Sequence, residues 1–166
     1  MTRKKIIYSK IITLLKYILI FIIVYFFMSL WQSQGMQSGK APDIDGLDVT
    51  NKYISTKTIR EKPLLVYFWA PWCGICNFTF QSIKNISNDY KVITIALDYD
   101  NITEIKEFIE GREVLTIADS SGKIKQDWGV KGVPSYFIVG KEDQIKLAKV
   151  GYMSEIHLRL YLALQD

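Results

Sequence analysis

Cys73 and Cys76 are the residues whose type and spacing best suit chemistry, and the chain contains no other cysteine. Two thiols this close can form and break a disulfide bond with each other reversibly. A predicted strand, Leu64 to Trp69, ends just before them, and a helix is predicted to follow. The unpaired N–H groups and positive dipole end of that helix stabilise a thiolate, which lowers the pKa of the first cysteine. We therefore expect Cys73 to be the nucleophile and Cys76, one turn further on, to resolve the mixed disulfide, with Trp72 shielding one side of the sulfurs.

Three other uses of the cysteine pair are weaker. Structural zinc normally has four ligands, and the chain offers only one histidine, His157, which we interpret as a surface residue. A purely structural disulfide would close too small a loop to add much stability. Binding of Cu(I) by the soft thiolates is the more serious rival and stays open. The main interpretation requires no metal and no other cofactor.

Composition predicts one globular domain with a short appendage. The chain has 166 residues, of which 49% are hydrophobic and 23% are charged. Residues 1–42 carry six basic side chains and no acidic one, whereas the remainder carries 15 basic and 17 acidic side chains. Because the folded part is therefore slightly acidic, we do not expect it to bind nucleic acid.

The N-terminal segment has the pattern of a signal anchor. Residues 1–10 form a basic stub, and residues 11–31 are apolar apart from Thr13, Lys16, Ser29 and a few tyrosine hydroxyls. A membrane span needs about 20 residues, and this run supplies 21 if Lys16 extends its ammonium back to the headgroups. The positive charge on the near side predicts a cytoplasmic N-terminus and export of everything after Trp31. A polar linker, residues 32–40, then leads to the domain, residues 41–166.

Two other readings of this segment remain. The uninterrupted apolar stretch from Tyr17 to Trp31 is short enough for a cleaved signal peptide, although residues 33–35 make a poor cleavage site. The other alternative is a buried helix of a soluble protein. The domain is exported in either of the first two cases.

The remaining elements alternate between strand and helix. Periodicity predicts helices over Cys76 to Asp89, Asn101 to Glu110, Ile124 to Trp128 and Ser154 to Leu164, and strands over Val92 to Leu97, Val114 to Ala118, Tyr136 to Val139 and Ile145 to Val150. The last two strands are separated by turn-forming residues and should form a hairpin. This order predicts an α/β sandwich with a mixed central sheet, preceded by one transmembrane helix.

Two sequence blocks carry a resemblance to a known family. The run Leu65 to Cys76 reads LVYFWAPWCGIC. A second block, Gly132 to Val139, begins with Gly-Val-Pro at the start of a predicted strand, and its Pro134 lies 58 residues after Cys76. Together they resemble the thioredoxin superfamily. Ala41-Pro42-Asp43 and the N-terminal anchor are similar to its TlpA/ResA/DsbE-like branch, and most of all to ScsD-type membrane-tethered oxidoreductases. The resemblance covers about Ala41 to Leu164 and implies a thioredoxin-like α/β/α sandwich.

The resemblance also implies residue roles. Pro134 matches the proline that packs against the disulfide after a cis peptide bond, and Val133 matches the position whose backbone pairs with a substrate strand. One position departs from the family pattern: Tyr67 stands where cytoplasmic thioredoxins have a buried Asp that helps the resolving cysteine to lose its proton. With an ordinary pKa near 10, a tyrosine could do this only weakly, so water or an acid such as Glu61 would have to substitute.

The function that follows is thiol–disulfide exchange with protein substrates. Relatives of this branch commonly act as reductants in an oxidising compartment, fed by a transmembrane electron donor of the DsbD/ScsB type, and serve cytochrome c maturation or copper-stress tolerance. We therefore expect a reductase on the bacterial inner membrane with its domain in the periplasm. The Gly74-Ile75 dipeptide matches neither strong reductants nor strong oxidants, so oxidase or isomerase activity stays an alternative.

Overall fold

The computed structural model describes residues 10–24, 36–59 and 63–165, which fall into two compact units. The first contains one helix, α1, over residues 10–24. No helix in the described part of the chain is both long and apolar enough to cross a membrane. Residues 25–31 of the predicted span, and residues 33–35 of the alternative cleavage site, lie outside the described residues.

The second unit is built on a six-stranded mixed sheet with the order β1-β8-β7-β4-β5-β6. Its strands are β1 (Gly39–Lys40), β4 (Leu64–Trp69), β5 (Lys91–Ala96), β6 (Thr116–Ala118), β7 (Ser135–Val139) and β8 (Gln144–Val150). Strands β4, β5 and β6 are parallel, whereas β4, β7, β8 and β1 pair antiparallel. A separate antiparallel pair is formed by β2 (Asp45–Leu47) and β3 (Tyr53–Ser55). The predicted α/β fold with a mixed sheet is confirmed.

The described part of this unit also contains four α-helices: α2 (Gly74–Ile86), α3 (Ile102–Ile109), α4 (Lys123–Asp127) and α5 (Glu155–Ala163). The predicted caps are confirmed, because Asn101 accepts hydrogen bonds from the first turn of α3 and Ser154 does so for α5. Helix α2 begins two residues earlier than predicted, since Cys73 itself provides the N-cap.

Strand β4 is buried along its whole length and divides the core in two. Its odd-numbered residues face one cluster, which includes the buried faces of α2, α3 and α5. Its even-numbered residues face a second cluster with α4 and the segment 36–59. A strand that is apolar on both faces fits only between two layers, so β4 takes the centre of the sandwich.

The packed unit begins earlier than the predicted boundary at Ala41. Met36 is buried in the second core cluster, and the Gln37 amide donates to the Trp128 carbonyl. Strand β1 also pairs with β8. Residues 36–40 of the predicted linker are therefore part of the folded unit. The polar composition of this stretch gave no indication that it pairs with β8.

Phe80 and Phe78 lie two positions apart on α2 but in opposite environments. Phe80 is fully buried against Trp69 and Phe108, with ring centroids 5.2 and 5.3 Å away, whereas Phe78 is 74% exposed. We expect Phe80→Ala to lower the free energy of unfolding by about 3–5 kcal/mol because it leaves a cavity. Phe78→Ala, the matched control, should change it by less than about 0.5 kcal/mol. Urea unfolding followed by circular dichroism measures both, and equal losses would contradict this packing.

Candidate active site

The two cysteines lie at the junction between β4 and α2 and form a disulfide bond with each other. Cys73 has extended backbone angles and precedes the first helical residue, Gly74. Its Sγ accepts a hydrogen bond from the Cys76 amide, with 3.1 Å between the two atoms. A first cysteine in this position is held against the free N–H groups of the helix, where negative charge on sulfur is favoured.

The two sulfurs differ in their access to solvent. Cys73 retains 7% of its surface, whereas Cys76 is fully buried. A partner molecule can therefore reach only the first cysteine directly. Cys76 can act only on the sulfur of Cys73, which is the asymmetry that two-step disulfide exchange requires.

Trp72 separates two hollows at this end of the domain. Its ring is 67% exposed, and its Nε1 donates to the Asp98 carbonyl, 3.2 Å away. On one side lies an open groove of about 520 Å³ that contains Cys73 and is bounded by α3. On the other side lies a hollow of about 90 Å³ that Trp72 shares with Val133. Trp72 thus borders both the reactive sulfur and the segment before β7.

Val133 and Pro134 are joined by a cis peptide bond, as the family resemblance implied. Pro134 is buried, and Val133 is half-buried against the core cluster that contains both cysteines. The Pro134 carbonyl accepts a hydrogen bond from Gly151, at the end of β8. The structure therefore brings Trp72 and Val133 into one hollow, and the buried Pro134 follows Val133 directly in the chain.

Tyr67 lies beneath the cysteine pair and takes the place of the carboxylate discussed above. Its hydroxyl contacts Thr79 Oγ1 at 2.9 Å and donates to the Cys76 carbonyl at 3.4 Å. Thr79 Oγ1 in turn bonds to the carbonyls of Ile75 and Cys76. Burial raises the pKa of Tyr67 beyond its usual range, with the neighbouring Tyr136 adding to the effect. Tyr67 is thus a neutral hydroxyl that ties β4 to the first turn of α2 rather than a base.

Sequence reasoning missed Thr79 and Tyr136. Thr79 lies one turn after Cys76 on the same helix, a signal that helical spacing could have revealed. Tyr136 faces Tyr67 across the β4–β7 pair, with ring centroids 5.1 Å apart, and burial raises its pKa as well. Glu61, the acid suggested as a substitute, lies outside the described residues. His157 is exposed on α5, where its Nδ1 lies 3.0 Å from Ser154 Oγ.

No group of three or more histidine, cysteine or acidic side chains within the described ranges is arranged to hold a metal ion. The geometry instead combines a central mixed sheet with a Cys-x-x-Cys disulfide at a helix N-terminus and a cis-proline loop. These features define a thioredoxin-fold thiol–disulfide oxidoreductase.

Comparison with known proteins agrees with this class. The Redoxin family model matches residues 36–160, and the chain belongs to that family. A thiol-disulfide oxidoreductase ResA from Bacillus cereus is 30% identical over 135 residues, which cover 76% of this chain and 78% of that protein. A thioredoxin-like protein from Haemophilus influenzae is 27% identical over 63% of this chain and 65% of its own length.

A solved structure has the same fold. It is a secreted Mycobacterium tuberculosis disulfide oxidoreductase homologous to Escherichia coli DsbE. The alignment has a TM-score of 0.66 at 18% sequence identity and covers 73% of this chain and 95% of that chain. The resemblance drawn from the sequence is confirmed at the level of the Redoxin family and ResA-like thiol-disulfide oxidoreductases, and the solved structure confirms the fold.

The raised pKa of Tyr67 predicts a specific alkaline behaviour. In the unfolded chain this phenol ionises near pH 10, whereas in the folded protein it keeps its proton, so the folded state binds more protons above that pH. Its contribution to stability is therefore complete below pH 10 and is lost as the pH rises further, by up to about 1.4 kcal/mol per pH unit. We expect Tyr67→Phe to make the decline in unfolding free energy between pH 9.5 and 11 less steep.

The control for this titration is Tyr53→Phe, which alters an exposed tyrosine on β3. That variant should show the same slope as the parent protein. Urea unfolding at several pH values measures how the free energy of unfolding changes with pH. This slope is separate from any pH-independent loss of stability caused by the missing hydrogen bonds. An unchanged slope in Tyr67→Phe would show that folding does not protect the Tyr67 phenol from ionisation.

Proposed function

We propose that this protein is a membrane-anchored, extracytoplasmic oxidoreductase that reduces disulfide bonds in partner proteins through Cys73 and Cys76. The observation that carries the proposal is the asymmetry of the pair. Cys73 borders an open groove and caps α2, while Cys76 is fully buried behind it. This arrangement supplies one accessible nucleophile and one internal resolving thiol.

The reaction begins with the reduced dithiol. The Cys73 thiolate attacks one sulfur of a partner disulfide, so that a mixed disulfide forms and the partner's other sulfur leaves as a thiolate that takes up a proton. The Cys76 thiol then loses its proton and attacks Cys73 Sγ, which releases the second partner thiolate. Two electrons pass to the partner, and the Cys73–Cys76 disulfide present in this structure is the oxidised product.

Trp72, Val133 and Pro134 are proposed to bind the partner segment. The exposed Trp72 ring offers an apolar surface beside the reactive sulfur. Val133 precedes the cis peptide bond and lies in the hollow on the far side of that ring. An extended partner strand could pair with the Val133 backbone while its cysteine meets Cys73, a short form of strand addition.

In the proposed domain arrangement, residues 11–31 are the anchor, and the folded unit, which begins at residue 36, lies outside the cytoplasm. Within helix α1, every residue from Ile11 to Val24 is apolar or aromatic except Thr13 and Lys16. A helix that is apolar on all faces requires an apolar environment. This composition supports insertion in the bacterial inner membrane, with the domain in the periplasm or its equivalent.

The direction of electron flow rests on the family resemblance. A membrane-embedded donor of the DsbD/ScsB type would return Cys73 and Cys76 to the dithiol after each turnover. The partners would be proteins of cytochrome c maturation or of copper-stress tolerance. Equilibration of the pair with glutathione measures its potential, and a value near the oxidising end of the known range, about −120 mV, would favour the oxidase alternative.

The catalytic proposal predicts that the full chain, purified in mild detergent, reduces insulin in the presence of dithiothreitol. Cys73→Ser should abolish this activity because it removes the nucleophile. Cys76→Ser should also be inactive but should accumulate mixed disulfides with partner proteins in cells, since the resolving step is lost. Non-reducing electrophoresis detects these adducts.

Cys73→Ser is the matched control for the trapping experiment, because it keeps one thiol but removes the accessible one. Adducts confined to Cys76→Ser support the proposed order of attack. A parent protein that leaves insulin intact, yet binds Cu(I) tightly through both thiols, would replace the proposal with the copper-chaperone alternative.

The anchor predicts that the full chain stays in the membrane fraction after extraction with sodium carbonate. Protease added to spheroplasts should digest the domain, because it faces outward. A variant in which Leu19 and Phe21 are both replaced by Lys should fail to insert, since each buried charge costs about 2.5–3.5 kcal/mol. Release of the parent chain in shortened form would indicate signal-peptide cleavage instead.

A further inference from the structure

Arg112 lines the same groove as Cys73, although the two residues are 39 positions apart in the sequence. It follows α3 and is the groove's only basic residue among the described ones. Cys73, Gly74 and Asn77 bring the start of α2 to one wall of this groove, and α3 forms the other. A fixed positive charge therefore faces the helix terminus at which Cys73 is placed.

The guanidinium of Arg112 is held rigidly. One nitrogen donates to the Asn77 carbonyl at 3.1 Å, and another donates to the Phe108 carbonyl. The guanidinium carbon also lies 5.3 Å from the ring centroid of Phe80 and 5.1 Å from that of Phe108. Because Asn77 is in the first turn of α2 and its amide bonds to the Cys73 carbonyl, these contacts tie the cation to the turn that begins at the first cysteine.

Among the residues that the structure describes, no direct ion pair neutralises the charge of Arg112. No salt bridge or carboxylate hydrogen bond involves its guanidinium in the described part of the chain, since both of its hydrogen bonds go to backbone carbonyls. Its field extends to the region below the disulfide: burial raises the pKa of Tyr67, and the positive charge of Arg112 opposes that rise.

Several other charged groups surround Cys73. Glu104 and Glu107 line the groove from α3, and the Glu104 carboxylate accepts hydrogen bonds from the Asp100 amide and the Asn101 side chain. Beyond Trp72, the smaller hollow contains the charged side chains Asp98, Lys125 and Lys131, of which the first two form a salt bridge. The carboxylates of Glu104 and Glu107 should both oppose the effect of Arg112, and because Glu104 also holds the start of α3, Glu107 is the acidic residue to substitute.

We propose that Arg112 is a positioning residue that stabilises the thiolate of Cys73 in the reduced protein by fixing a positive charge beside the first turn of α2. The proposal rests on the function proposed above. It assigns to Arg112 an effect on the first step of that reaction, the attack by the Cys73 thiolate. The charge adds to the helix dipole, which acts at the same atom. The carbonyl and ring contacts of the guanidinium do not involve the sulfur atoms, so its field is present before a partner arrives.

The test measures the alkylation of Cys73 by iodoacetamide as a function of pH. The full chain is used in detergent in a Cys76→Ser background, so that Cys73 is the only thiol and its thiolate displaces iodide to give a thioether. We expect Arg112→Gln to shift the rate profile to higher pH, with a rate about three-fold lower than the parent's at a pH below the midpoint and equal at high pH. Glu107→Gln should shift the profile in the opposite direction.

Two further variants separate charge from structure. Arg112→Lys keeps the positive charge but loses the bidentate fork, and it should restore most of the parent profile. Lys106→Gln removes a positive charge from α3 outside the groove and should leave the profile unchanged. High salt should reduce the difference between Arg112→Gln and the parent.

An Arg112→Gln profile that coincides with the parent's would overturn the proposal. Equal shifts in Arg112→Gln and Arg112→Lys would do the same, because the role would then be packing rather than charge. Alkylation requires no protein substrate, so its pH profile can be measured whether or not the protein reduces insulin. A failure of the proposed reductase function is therefore distinguishable from a failure of this proposal.

Discussion

The arrangement of this domain depends on the burial of β4 on both faces. Alternate side chains of Leu64–Trp69 enter two separate core clusters, and the strand is hydrogen-bonded to β5 on one side and to β7 on the other. The end of such a strand has little freedom to move. The chain therefore leaves the sheet at a defined point, where Cys73 becomes the cap of α2 and Cys76 lies inside the core.

Beneath the disulfide, hydroxyl groups occupy a place where charge would be costly. The phenols of Tyr67 and Tyr136 stay neutral because burial disfavours their ionisation, and the uncharged Thr79 hydroxyl lies within hydrogen-bonding distance of Tyr67. The hydrogen bonds of Tyr67 and Thr79 hold the first turn of the helix in position but supply no strong base. The charged groups that can act on the reactive sulfur lie instead in the open groove, where water screens them and a partner can reach them.

The surface around Cys73 is divided by Trp72. The hydrogen bond from its indole to the Asp98 carbonyl holds the ring between the groove on the α3 side and the hollow that contains Val133. A partner that contacts both sides must therefore pass over this ring. The groove and the hollow thus lie together beyond the end of the central strand β4, whereas the short strand β1 lies at one edge of the sheet.

The sequence by itself determined the cysteine pair, the mixed α/β architecture and the helix caps, because these are encoded by residue types at short spacings, whereas the cis peptide bond before Pro134 was implied by the family resemblance. Only the tertiary structure revealed the Tyr67–Tyr136 pair, which depends on the β4–β7 register, and the placement of Arg112 beside α2. It also showed that residues 36–40 belong to the folded unit. Each of these features joins residues far apart in the chain, and the packing of the complete sheet, rather than any local pattern, decides which of them meet.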